Sequence, residues 1–193
     1  LEMNMIHQGS LQILIDCKTD AKTTLDQIVK SIQKYPIITA QNKVKFVISG
    51  NQPKPEEYTS YPDFISFDYQ KLENLTSDQW KKVALVSLSF PQYSKWNGKG
   101  GLTEDDLPKV TEVIKKAKSF GKPFRFWAIP DGKTSWEFFA HNGVDFINTD
   151  HPKECVEYIN ALEKRTFKNN VFSEVYQPKF EKKKKNVPVK NVI

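Results

Sequence analysis

The chain has 193 residues, 38% of them hydrophobic and 27% charged, enough to bury a sizeable core in one domain. No run of about 18 apolar residues occurs, which excludes a membrane-spanning helix, and no basic leader followed by an apolar segment marks a signal peptide. The net charge of +6 is unevenly placed: Lys164–Ile193 hold nine Lys/Arg against two Asp/Glu, while Leu1–Glu163 hold twenty against twenty-one. A neutral body argues against nucleic acid as a partner, and the basic end reads as a solvated tail or a contact for an anionic membrane surface.

In chain order, "LQILIDCK" (Leu11–Lys18) reads as a strand, and a helix follows over Thr23–Tyr35, ended by Pro36. "VKFVIS" (Val44–Ser49) is a second strand, a polar loop "GNQPKPEE" comes next, and "FISFD" (Phe64–Asp68) is a third. "VALVSLSF" (Val83–Phe90) is a fourth strand, and past the loop "PQYSKWNGKGG" a helix runs from Glu104 to Phe120 with Gly121 at its end. "FRFWAI" (Phe124–Ile129) is a fifth strand, and Thr134 or Ser135 can cap a helix that stops before Gly143. "VDFINTD" (Val144–Asp150) is a sixth strand, and Pro152–Leu162 is the last helix. "VFSEVY" (Val171–Tyr176) could add an edge strand.

Strands alternating with helices, at 20 to 40 residues from strand to strand, imply a parallel sheet in a barrel or an open doubly wound fold. No GxGxxG or GxxxxGK[ST] follows a strand, so nucleotide-binding folds lose ground. Cys17 and Cys155 read as small core residues, with no spacing that suggests zinc.

Side chains alternate along a strand. In the first strand Ile13, Ile15 and Cys17 share one apolar face, while Leu14, Asp16 and Lys18 share a face that turns charged at its end. Alternation puts Ser66 and Asp68 on the corresponding face of the third strand, Leu85, Ser87 and Ser89 on that of the fourth, and Arg125 and Trp127 on that of the fifth. A barrel with its site at the strand C-termini requires this polarity. Asp16 could hold a hard divalent cation and Lys18 a phosphate, but one carboxylate does not make a metal site, and Asp68 and Asp150 are the other strand-end carboxylates. Spacing alone leaves Asp16–Lys18 open between an ion pair on a solvated rim and a working pair. His7, His141 and His151 supply no nucleophile-and-base pair, and no Gly-x-Ser-x-Gly elbow appears.

Taken in series, "LQILIDCKTD", "VISGNQP", "SLSF", "KWNGKGGL" and "FRFWAIPD" with "SWEFFAHNGVDFINTD" resemble the phosphatidylinositol-phospholipase-C-like and glycerophosphodiester phosphodiesterase superfamily over Leu11–Leu162. The resemblance implies an α/β fold of TIM-barrel (β/α) type, phosphodiester cleavage, and, by family habit, secretion and a role in lipid metabolism. The family's catalytic histidines lie on and just after its first two strands, and nothing in this chain matches those motifs. The six strands would then be the third to eighth of a barrel lacking its first two, over residues 1–163, with 164–193 as a basic C-terminal tail. The absent part would amount to about 60 residues at roughly 30 per βα unit.

Carried over residue by residue, the resemblance makes Asp16 a ligand for a divalent cation (Mg or Ca) and Lys18 the catalytic contact to phosphate. Trp127, Arg125 and Asn148 match residues near the mouth, Ser49 and Asn51 fall where substrate contacts are plausible, and Lys95 or Lys99 could help hold an anion. The ligand implied is a small phosphodiester or a phospholipid headgroup, with self-association or a complementing N-terminal segment restoring the histidines. Two rivals stay open: a non-catalytic binding or scaffold protein whose tail holds an anionic partner, and an unrelated open α/β sheet.

Overall fold

The computed structural model describes residues 11–40 and 44–169. Five strands, β1 (Leu11–Cys17), β2 (Val44–Gly50), β3 (Ile65–Tyr69), β4 (Val83–Ser89) and β5 (Phe124–Trp127), pair in the order β1-β2-β3-β4-β5, every pair parallel. The chain is α/β, and its sheet curls like half a barrel. The helices are α1 (Ala21–Gln33), α2 (Pro36–Ala40), α3 (Ser77–Lys82), α4 (Asp106–Lys118), α5 (Lys133–His141) and α6 (Pro152–Asn169).

Local chemistry explains the helix starts. Asp20 caps α1 by accepting the Thr23 N–H at 2.9 Å. Thr76 and Gln79 form a reciprocal capping box at α3, a short helix that carries no apolar period strong enough to reveal it in the sequence. The cap of α5 is Gly132, with no side-chain bond, rather than Thr134 or Ser135. Pro36 does end α1, but it also opens α2, since proline suits a first helical turn. The polar loop after β2 winds into a 3₁₀ turn over Pro55–Ser60, and α6 continues past Leu162 to Asn169.

The helix-facing side of the sheet holds the main core. Ile48, Phe67, Val86, Leu88, Phe124 and Phe126 pack there with Leu25 of α1, Val110 and Ile114 of α4, and Phe138 and Phe139 of α5. Tyr58 stacks flat on Phe67 at 3.8 Å between centroids, and Phe90 meets Phe126 and Phe139 edge-on. Burying each such side chain stabilises by about 1.5–3 kcal/mol. Cys17 and Cys155 are both buried and free, as their apolar settings suggest.

The expected sixth strand is not formed. Residues 144–150 run beside β5, where the N–H groups of Asp145 and Phe146 both donate to the Phe124 carbonyl at 2.9 and 3.3 Å. The Phe124 N–H, which a neighbouring strand's carbonyl would accept, goes instead to the Asp145 side chain at 2.8 Å. A carboxylate thus takes the place of the ladder. At the opposite side, the free edge of β1 has no strand neighbour among the described residues, and Leu11 (56%), Ile13 (39%) and Leu14 (37%) are exposed there. The expected edge strand Val171–Tyr176 and the basic run Lys182–Lys185 lie outside the described residues.

Candidate functional site

Parallel register brings one polar side chain from each strand into a single layer near the strand C-termini, on the side away from the main core. Asp16 of β1 lies opposite Ser49 of β2, and Ser87 of β4 opposite Arg125 of β5. Asp68 of β3 sits between them and joins the layer by hydrogen bonds. Ser49 Oγ donates to Asp68 Oδ2 at 2.7 Å, and Ser87 Oγ lies 2.5 and 2.6 Å from its two oxygens. Arg125 Nη2 reaches Oδ2 at 3.5 Å. Two residues earlier on their strands, Val47 and Leu85 are buried and give the layer an apolar base. Nothing in the sequence singled out Asp68 as the hub; its signal was a charge on the inner face of an apolar strand, flanked in space by two inner-facing serines.

Asp68 and Ser87 are wholly buried. Burial pushes the Asp68 carboxyl above its ordinary value, against the hydrogen bonds from Ser87 and Ser49 and the charge of Arg125, which pull it down. The strand end is pinned as well: Gln52 Nε2 donates to the Asp68 carbonyl at 2.7 Å, and the Tyr58 hydroxyl donates to Gln52 Oε1 at 2.7 Å. Burial pushes the Tyr58 phenol up, so it stays a donor.

The sequence-predicted residues divide into three groups. Ser49 and Arg125 are members of the layer. Asp16 and Lys18 form an ion pair at 2.7 Å on its rim, with side chains 50% and 79% exposed, a setting in which such a pair contributes about 0–1 kcal/mol. Gly50 makes room for that rim: its φ is +70°, and a methyl group there would run into the Asp16 carboxylate and the Cys17 carbonyl. Trp127, 41% exposed, follows Arg125 by two residues on the same face and lies opposite Ser89. Asn51 is a clamp between loops: its N–H donates to the Cys17 carbonyl at 2.8 Å and its side chain to the Thr19 carbonyl at 2.9 Å. Asn148 is half-buried in the segment beside β5, and no bond joins it to the layer. Lys95 and Lys99 are exposed.

Among the described residues no group of three or more His, Cys, Asp or Glu gathers to hold a metal ion. Asp16 is one carboxylate with a lysine on it, and both Asp68 oxygens are occupied by hydroxyl donors, so this donor set falls short of the oxygen ligands that Mg²⁺ or Ca²⁺ needs.

A second carboxylate organises the loop after β5. Asp131 accepts from Trp136 Nε1 at 2.8 Å, Thr149 Oγ1 at 2.6 Å and the Asp150 N–H at 2.7 Å. Desolvation would raise its carboxyl, but these hydrogen bonds outweigh it and hold the group below its ordinary value. The two motif halves "IPD" and "INTD" are thereby tied together at the end of β5. Between Trp127 and this hub, Ala128 adopts φ +53°, a left-handed backbone that costs an L-residue about 1–2 kcal/mol and turns the chain sharply out of the strand.

Comparison with family models, with curated proteins and with solved structures finds no match to the chain.

Proposed function

We propose that the chain contributes part of the active-site mouth of a phosphodiester hydrolase of the glycerophosphodiester or phosphatidylinositol type. The observation that carries this reading is the polar layer itself: Asp16, Ser49, Asp68, Ser87 and Arg125 come from five parallel strands and meet at their C-terminal ends. In parallel (β/α) barrels that end carries the chemistry. The motif order supplies the reaction class, and two further strands bearing the catalytic histidines would pair with the apolar edge of β1, which has no strand neighbour among the described residues.

In this reading Lys18 contacts the phosphoryl group, Trp127 borders the ligand, and the histidines delivered to the β1 edge act as general acid and base. Asp16 would be the one carboxylate this chain gives to a Mg²⁺ or Ca²⁺ ion whose other ligands come with those strands, and such an ion would supply charge to polarise the phosphoryl oxygens. The chain by itself is expected to turn over little or no substrate.

The test is hydrolysis of glycerophosphodiesters and inositol phospholipids with Mg²⁺ or Ca²⁺, by this chain and by a version extended with its natural upstream coding sequence. The extended protein should be active, and Asp16→Ala should lower its kcat/KM by about a hundredfold or more. An inactive extended protein, or one indifferent to Asp16→Ala, would sink the reading.

A further inference from the structure

We infer that Arg125 is an oxoanion-binding residue, that Asp68 is the positioning residue that aims it, and that the ligand is held at this point through a phosphate group. The choice of phosphate over other oxoanions rests on the hydrolase reading; the anion site itself does not.

A guanidinium offers five donors in a rigid plane. Arg125 spends little of this capacity: its one acceptor among the described residues is Asp68 Oδ2, at the long distance of 3.5 Å. Its Nε is buried and has no hydrogen-bond partner among the described residues. A buried donor left unmet costs about 1–3 kcal/mol, and more on a charged group, so an acceptor arriving there recovers that energy. Asp68 does not meet it: its contact with Arg125 is through Nη2, and its wholly buried side chain is held from both flanking strands by Ser49 and Ser87.

The direction follows from register. Arg125 lies opposite Ser87 and bonds Asp68, so it belongs to the curled inner face and not to the helix-covered core. Its side chain keeps 20% of its surface exposed while Asp68 keeps 1%, so the pair is open on the arginine side only. The buried Nε–H and an Nη–H lie along one edge of its plane, a spacing that matches two oxygens of a phosphate once the side chain turns that edge toward its open side. Charge is placed for an anion as well: the Asp16–Lys18 pair on the rim is neutral as a unit, and Asp68 is walled in behind its serine donors, so Arg125 is the charge of this pair that faces the open side.

The experiment titrates the full ¹⁵N-labelled chain with inorganic phosphate. It follows the Arg125 Nε–H signal, identified by its loss in Arg125→Lys, and the Trp127 indole signal, identified by its loss in Trp127→Phe. Both should shift saturably, and the indole should report binding about tenfold weaker in Arg125→Lys, because lysine cannot make the two-point contact. In Asp68→Asn the Arg125 signal should move or broaden before any phosphate is added while the backbone spectrum stays in place, which a merely structural role would not produce. Phosphate that leaves both wild-type signals unmoved, or binds Arg125→Lys equally well, overturns the anion site. An Arg125 signal indifferent to Asp68→Asn overturns the positioning role, and acetate binding as tightly as phosphate overturns the choice of ligand. Phosphate bound at Arg125 while the extended protein stays inert toward diesters would support the anion site and sink the hydrolase reading. Hydrolysis that is indifferent to Arg125→Lys would overturn the placement of the ligand's phosphate at Arg125 and leave the hydrolase reading standing.

Discussion

Asp68 and Asp131 show how setting decides what a carboxylate contributes. Asp68 is buried and its folded-state pKa is raised, so the folded chain holds its proton more tightly than the unfolded chain does. Its contribution to stability is therefore fully present below its ordinary value of 3.8 and is lost as pH rises through the raised value. Asp131 has the opposite sign: its lowered pKa gives stability that is present above 3.8 and lost as pH falls through the lowered value. Asp68→Asn should accordingly flatten the decline in stability above the ordinary carboxylate range, measured by urea unfolding across a pH series; an unchanged slope would show that Asp68 titrates normally. Asp68→Ala should cost about 3–5 kcal/mol, because it strands the Arg125 charge and two serine hydroxyls beside an emptied site.

At the scale of elements, five strands were legible because each is an apolar run bounded by turn residues, and alternation alone placed Asp16, Asp68, Ser87 and Arg125 on one face. What alternation could not show was the bonding within that face. The serines converge on Asp68 only because β2 and β4 flank β3, and strand order is a long-range property. The sixth strand was misread for a related reason. "VDFINTD" has strand composition, but the Asp145 carboxylate captures the Phe124 N–H and Asp131 captures Thr149 and the Asp150 N–H, so side chains replace the ladder. Asn51, expected at the ligand, is spent on the β1 loop. The close approach of the C-terminal ends of β1 and β2 rests on the left-handed turn at Gly50. Gly50→Ala would force an L-residue to φ +70° and drive a methyl group into the Cys17 carbonyl and the Asp16 carboxylate. It should cost about 2–4 kcal/mol, read as a lower urea midpoint at unchanged slope. Retention of wild-type stability would mean that this turn can relax freely.

For the whole molecule, the described sheet is parallel and curled, with its inner face polar at one end and apolar below. The β1 edge carries no lysine, proline or bulge over Leu11–Cys17, so its composition suits pairing. No helix among the described residues is long and apolar enough to cross a membrane. The proposed barrel type and hydrolase chemistry share one footing, the layer of five side chains at the strand C-termini. The direct measurement is backbone chemical-shift mapping of the full chain titrated with a glycerophosphodiester in the presence of Mg²⁺. The expected result is a set of perturbations confined to the mouth: Asp16 and Lys18, Ser49, Asp68, Ser87 and Ser89, and Arg125 to Ala128. Perturbations centred instead on the α1 groove at Ile28, Ser31 and Ile32, or no perturbation at all, would contradict a ligand site at the strand C-termini.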